Sequence, residues 1–542
     1  MKQYKKIAKY ALVLASVATI TGCTKLKEDL NSTLTNGQVS SALGSSGTAL
    51  LLAAAYADLG GPLTSQDLVF SLQENSTDES LVPTRGGDWD DNGVWRVVHA
   101  HTWNADHGQI LNVFNSLNKI NFDATNVLGF NPTPAQAAEA KFIRALALYY
   151  LLDLYGQYPF RNPGDNLLLA PEVKSGAAAV DFIISELNAA LPNLPATNGP
   201  DKANPDAARV LLMKCYLQKG AFVNRAAPTF AAGDLTQVIT LGNAIIANPK
   251  YSYSANYFDN FNPNNSSSKE GIFVYPNTSG VSANNSGIAA RWNMTLHYNC
   301  WTPNNPNAGW NGFSTISDFY NSFNTGAGTT AFGPNDTLLD PRIGGRVYPG
   351  VTNVSGMRPG LLVNQQFNEN GVAIKDRQGA PLAFQPAIAS NMIETGANKE
   401  VTGIRVMKYP PDYTQYGNPA GNDLMIFRYA DVVLMVAEAR GRNGDMPGAL
   451  TMVNALRAAR GAPALASMTL VNVNNVGDPR TLLAERGREL YWESHRRTDL
   501  IRFGVFLKPW QYKTSTDAKN LVFPVPNQAL AANPNLVQNT GY

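Results

Sequence analysis

A chain of 542 residues that is 44% hydrophobic and only 15% charged has the length and apolar content to bury a large core, which excludes a wholly disordered polypeptide. Its formal charge of +2 also excludes an electrostatic nucleic-acid binder. Setting aside Lys2, Lys5, Lys6 and Lys9 leaves 39 of the 43 basic side chains against 41 acidic ones. Three cysteines, Cys23, Cys215 and Cys300, exclude a disulfide framework; Cys215 lies in an apolar helical run, and whether it pairs with Cys300 is left open by the sequence.

The four lysines precede an apolar run from Tyr10 to Ala18, too short to cross a bilayer and of the length of a signal-peptide core. Ile20-Thr21-Gly22-Cys23 follows and matches the lipobox of bacterial lipoproteins, so residues 1–22 are expected to be removed and Cys23 to be acylated. Several acyl chains, each contributing roughly 0.8 kcal/mol per buried CH₂, anchor a protein stably. Lys27, Glu28 and Asp29 resemble the acidic tag that sends such lipoproteins to the cell exterior. Residues 23–46 read as a tether, followed by a helix near Thr48–Leu59 that Gly60, Gly61 and Pro62 end.

The segment Thr77–Trp103 is rich in Gly and acidic turn formers and reads as a loop presenting Trp89 and Trp95. From Asp106 a helix carries Ile110, Val113, Phe114, Leu117 and Ile120. The best-defined helix then starts at Thr133, where a Thr133/Gln136 capping box and Pro134 coincide, and ends at Gly156 and Pro159. It is apolar on nearly every face, so other helices must cover it. Further helices are predicted at Ala177–Leu191, Pro205–Lys219 capped by Asn204, and Leu235–Ala247. Helical patterning fades between Tyr251 and Thr402, where Asn, Ser, Gly and Pro accumulate among Trp292, Trp301 and Trp310. Packed loops with short strands fit that aromatic content better than a linker. Helices return at Ile426–Arg440, Pro447–Arg460 and Pro479–Ser494.

Several stretches together resemble the SusD/RagB family of glycan-binding surface lipoproteins. They are the helix at Thr133–Phe160, Arg428, Asp431 and Glu438-Ala439, the run from Glu485-Arg486 through Glu489-Leu490, Glu493 and Arg496 to Asp499-Leu-Ile-Arg502, Phe523-Pro-Val-Pro526, and Asn533–Tyr542. Where many relatives have Gly after the last helical Glu, this chain has Ser494-His495. The resemblance implies a mainly α fold, a tetratricopeptide-like helical-repeat superhelix with a large loop-rich, mixed insertion carrying the ligand site. Its parts would be residues 47–250 (helical repeats), 251–402 (insertion) and 403–542 (C-terminal helices). It also implies a non-catalytic protein, lipid-anchored at the outer membrane and facing the exterior. Such a protein binds oligosaccharide and delivers it to a SusC-like TonB-dependent transporter. The alternative is a helical scaffold or peptide-binding lid whose Trp loops are interface.

Six of eight tryptophans fall between Trp89 and Trp103 or between Trp292 and Trp310. Flat apolar rings cover the CH face of a pyranose while amides and charges bond its hydroxyls. The expected ligand-binding set is therefore Arg85, Asp88, Trp89, Asn92, Trp95, Trp292, Tyr298, Trp301 and Trp310, with Asn293, Asn299 and Asn311 close in sequence. No catalytic residue, metal or cofactor is expected. Asp88–Gly93 opens like a calcium loop, but the twelfth position is His99 where a bidentate Glu is required. His99 and His101 read as hydrogen-bonded histidines rather than zinc ligands. Glu485, Glu489 and Glu493 would lie on one helical stripe, whereas glycoside hydrolysis needs carboxyl groups flanking the scissile bond; the neighbouring arginines indicate a structural ion network.

Overall fold

The computed structural model describes residues 36–278, 287–300, 309–323, 340–345, 359–368, 372–411 and 421–542. The predicted leader, Cys23, the first part of the tether and Trp301 lie outside these residues. Helix α1 (Asn36–Ala57) starts within the stretch expected to be tether and is broken at Gly44, whose φ of 54° no helix accommodates. Ser45–Tyr542 forms one compact unit.

Within that unit the helices pack in series. After α2 (Val94–Ala100), α3 (Gly108–Gly129) lies against α4 (Pro134–Tyr155), α4 against α5 (Gly176–Ala190), α5 against α6 (Pro205–Val223), and α6 against α7 (Ala232–Ile246). The chain then leaves the array, yet α7 packs against α8 (Tyr429–Arg442), and α8 against α9 (Met446–Ala459). The array therefore continues across the inserted region. Two strands close the insertion at its root: Gly271–Tyr275 pairs antiparallel with Leu424–Arg428. Ile426, Phe427 and Arg428 belong to that strand and not to the helix predicted over them, because their side chains are buried in a pairing between distant segments.

The local signals at α4 behave as their chemistry dictates. Thr133 and Gln136 form a reciprocal capping box, Pro134 opens the helix, and Gly156 closes it at φ 72°. Core side chains from Ala138 to Tyr155 are buried on all sides by α3, α5 and α6. Beyond Gly156 a hairpin forms from β1 (Gln157–Phe160) and β2 (Glu172–Ser175). Cys215 and Cys300 are both buried and unpaired.

Helix α10 (Leu482–Leu490) ends four residues earlier than its pattern predicts, because Trp492 (φ 58°) and Ser494 (φ 64°) are left-handed. Glu493 thus leaves the stripe of Glu485 and Glu489, although all three join one buried network. Arg342 reaches Asp340 (2.6 Å), Glu485 (2.7 Å) and Glu489 (2.9 Å). Arg428 reaches Glu489 and Glu493 (2.6 Å each), and Lys408 reaches Glu493 (2.6 Å). Arg457 and Arg488 bind Glu485, and Arg460 binds Glu270 and Glu489. Asp340, Arg342, Glu270 and Lys408 lie in or beside the insertion, so the network fastens its inner loops to α10.

A left-handed conformation costs a residue with a Cβ roughly 1–2 kcal/mol. Ser494→Gly is therefore expected to raise stability by about 1 kcal/mol in a denaturant titration; an unchanged or lowered midpoint would count against that account.

Candidate functional site

A loop of the N-terminal part and loops of the insertion meet at one surface beside α2. Thr84-Arg85 pairs in parallel with Ile393-Glu394, and Arg85 N–H donates to Asp88 O at 2.9 Å, turning the chain sharply so that Asp88 and Trp89 project from it. Trp89, Asp91 and Asn92 have positive φ, and Gly93 (φ 79°) starts α2. The second loop, Trp310–Phe313, lies along the Asn293–Leu296 turn: Trp310 N–H donates to Asn293 O (2.6 Å) and Asn311 N–H to Leu296 O (2.7 Å).

Trp89 bridges the two loops. Its Nε1–H donates to Trp310 O at 2.7 Å, and its ring meets Phe313 edge-on at 5.5 Å and Trp95 at 5.7 Å. Both Trp89 and Trp310 are half-buried. Gly312 makes this approach possible, because a Cβ there would lie 2.3 Å from Trp89 Cε2 and 2.6 Å from Met294 O. Gly312→Ala must push the ring off its seat. We expect a loss of about 1–3 kcal/mol in stability, read by denaturation, together with weakened ligand affinity.

Tyr298, also half-buried, donates its hydroxyl to the exposed carboxylate of Asp88, tying the first loop to the segment that follows the Asn293–Leu296 turn. Burial and that carboxylate push the phenol up to about 12. The guanidinium of Arg377 lies 3.9 Å from the centre of the Tyr298 ring and is held there by Glu400 (2.8 Å). Burial opposes ionisation of Glu400, but Arg377 N–H, the Arg377 guanidinium and His297 hold its carboxyl down at about 2. Asn299 donates to Lys375 O at 2.8 Å, tying in the same neighbouring hairpin. Asn92 is exposed and stands with Asp91 on the rim of a cavity of about 580 Å³ that Trp95, Trp103, Asn104 and Gln109 also line.

Three members of the expected set face inward. Arg85 is buried, and its two terminal nitrogens donate to Lys399 O, Thr402 O, Thr402 Oγ1 and Ser314 Oγ. Trp95 sits on α2, not on a loop; it is 6% exposed and donates to Asp91 at 2.7 Å. Trp292 is 2% exposed within a second apolar cluster with Leu296, Cys300, Leu362 and Phe384. Of the neighbouring amides, Asn293 and Asn311 are buried as well, the latter accepting from Arg405 at 2.7 Å. Trp103 is buried against Phe523. These residues hold the loops in place, and of them only Trp95 and Trp103 border the cavity beside Asn92. What remains at the surface is Asp88, Trp89, Asn92, Tyr298, Asn299 and Trp310. Arg377 is added by the fold, and nothing in its own turn announces that it lands over Tyr298.

His99 and His101 are buried. Nδ1 of His99 lies 2.9 Å from Ser80 O, and Nε2 of His101 lies 2.8 Å from Ser76 O. Among the described residues no cluster of His, Cys, Asp and Glu is arranged to hold a metal ion.

A family model described as the SusD family matches residues 266–542. The chain belongs to the SusD family. Among its relatives, the starch-binding protein SusD of Bacteroides thetaiotaomicron is 27% identical over 456 residues, which covers 78% of this chain and 75% of that one. The SusD-like protein P25 of Formosa agariphila is 24% identical over 90% of this chain and 86% of its own. Surface glycan-binding protein A from Bacteroides thetaiotaomicron, solved in complex with laminarihexaose, shares the fold at a TM-score of 0.64 and 15% identity, over 91% of this chain and 99% of that one. The helical array with its spliced insertion is thus the SusD fold. SusD-family proteins are non-catalytic, and this chain is not an enzyme. The glutamates that sequence brings together, Glu485, Glu489 and Glu493, are accordingly buried against arginines.

Proposed function

We propose that this SusD-family chain binds oligosaccharide at the outer surface of a Gram-negative cell and delivers it to a TonB-dependent transporter. Cys23 carries its lipid anchor. The observation that supports the reading is the cluster of half-buried Trp89, Trp310 and Tyr298, tied together by the Trp89–Trp310 and Tyr298–Asp88 hydrogen bonds, with Arg377 over the Tyr298 ring and exposed Asp88 and Asn92 on the same loop as Trp89. Rings of this kind cover the apolar face of a sugar, and the surrounding carboxylate, amide and guanidinium groups suit its hydroxyls. The starch-binding relative and the neighbour solved with laminarihexaose support the ligand class. No helix among the described residues is long and apolar enough to cross a membrane, which is compatible with attachment by acyl chains alone.

Exposed sugar recognition exchanges water hydrogen bonds for protein ones, so each site is expected to bind with a Kd between ~1 mM and tens of μM. Calorimetry of the mature chain against soluble starch, laminarin and other glycan fragments tests this. Heat from at least one glycan is expected. Silence across the panel together with saturable peptide binding would replace the sugar by a peptide. Co-purification with the transporter, unaffected by Trp310→Ala, tests the delivery step separately.

A further inference from the structure

The loop between β1 and β2 presents Leu167, Leu168 and Leu169 to solvent at 59%, 93% and 64% exposure. Three consecutive leucines turned outward are unusual in a loop that is otherwise carefully built. Arg161 donates to Asn166 O (3.0 Å) and to Leu169 O. Asp165 accepts from Asn162 N–H (2.7 Å), Asn166 Oδ1 accepts from Leu168 N–H (3.0 Å), and Leu169 N–H donates to Asn166 O (3.1 Å). Part of the loop's polar groups are thus paired within it, which lowers the cost of bringing its tip into an apolar medium.

The position of the loop indicates which medium. The chain enters the compact unit near Thr48, whose hydroxyl donates to Phe130 O at 2.6 Å. One residue earlier, a Cβ on Gly129 would lie 4.0 Å from both Pro163 Cβ and Gly164 N in the leucine loop. The base of the leucine loop therefore lies near the point where the chain enters the compact unit. At roughly 3.3 Å per residue even a fully extended segment from Cys23 keeps that point within about 80 Å of the lipid.

We propose that Leu167–Leu169 form a membrane-contacting finger that dips into the boundary between headgroups and acyl chains beside the anchor, as a second attachment signal. This rests on the anchored reading given above. A protein pocket is the competing occupant, but protein hot spots are enriched in Trp, Tyr and Arg and poor in Leu. A convex, purely aliphatic tip suits lipid.

The test uses the mature chain with Cys23→Ser, so that no acyl chain contributes, and an environment-sensitive fluorophore on Leu168→Cys; the remaining thiols, Cys215 and Cys300, are buried. Adding phosphatidylethanolamine–phosphatidylglycerol vesicles is expected to blue-shift the label, and brominated lipid to quench it. A label on Val473→Cys, an exposed apolar position elsewhere, is expected to stay in water. Sedimentation of the unlabelled Cys23→Ser chain with the vesicles is expected to fall by about tenfold or more when all three leucines become Ser. No shift at Leu168→Cys, or equal shifts at both positions, would overturn the proposal. A shift with solubilised transporter and none with vesicles would overturn it in favour of a protein pocket. The mass of the N-terminal peptide from cells reports acylation of Cys23 independently, so loss of the anchor and loss of the finger are told apart.

Discussion

Trp310→Ala is expected to weaken glycan binding about 30-fold, and Trp89→Ala with it to take binding out of the measurable range. A ring that covers one pyranose face removes on the order of 80 Å² of apolar surface from water, worth about 2 kcal/mol at the usual coefficient. From a starting Kd no tighter than tens of μM, one such loss reaches ~1 mM, and two leave nothing for calorimetry to see. Trp310 is the cleaner position, because its backbone carbonyl, not its ring, holds Trp89 in place. Trp89→Ala also removes packing against Phe313 and Trp95, so its near-UV circular dichroism must be compared with wild type before the loss is assigned to sugar. Tyr298→Phe keeps the ring and removes only the bond to Asp88, and a several-fold loss is expected from it. Full affinity in the Trp310→Ala chain would move the site elsewhere, the cavity beside Asn92 being the next place to look.

Arg342→Met is expected to destabilise the protein by about 3–5 kcal/mol, although Arg342 lies in the irregular insertion. Removing one member of a dry ion network strands the charges left behind, and Asp340, Glu485 and Glu489 are all fully buried beside it. Denaturant unfolding reads the change. A double-mutant cycle with Glu485→Gln isolates the pair, and a coupling near zero would mean that Arg457 and Arg488 already satisfy Glu485. The same network predicts sensitivity to acid. Burial opposes ionisation of Glu485, but the guanidinium of Arg342, with those of Arg488 and Arg457, brings its pKa down to about 2 from an ordinary 4.5. A depressed carboxylate contributes stability that is complete above about 4.5 and is lost as the pH falls through 2. Glu489 and Glu493 are depressed as well, so their contributions fade in the same direction. Glu74 has the opposite sign: burial pushes it up to about 8, so the stability from its neutral form is present below 4.5 and disappears as the pH rises through 8. The unfolding free energy is therefore expected to decline on both flanks, steeply below pH 4.

The ion network and the aromatic cluster are mechanically linked. Asp340 and Arg342 come from the same insertion as Tyr298, Trp310 and Arg377, and the network fixes its inner loops to α10. A chain weakened at Arg342 is expected to lose glycan affinity without any change at the sugar-facing side chains.

Sequence alone determined the helices whose ends and faces are encoded within a few residues of one another. The capping box at Thr133, the αL residue Gly156 and the apolar faces of α3 to α7 are local facts, and they suffice to specify a stack of helices. The buried role of the Glu485 and Glu489 carboxylates was likewise legible, because arginines accompany them at the right spacing. Tertiary structure alone decided where the array is interrupted and resumed: α7 packs against α8 where Gly271–Tyr275 pairs with Leu424–Arg428, and no local pattern encodes a partner about 150 residues away. It also decided which aromatic rings see water. The sequence neighbours of Trp89, Trp95, Trp292 and Trp310 do not tell these rings apart, because exposure depends on what packs against a ring from elsewhere. Gly312 makes room for Trp89, whereas Leu362 and Phe384 bury Trp292. Burial is a property of several chain segments meeting at once, and that meeting is settled only when the whole chain has folded.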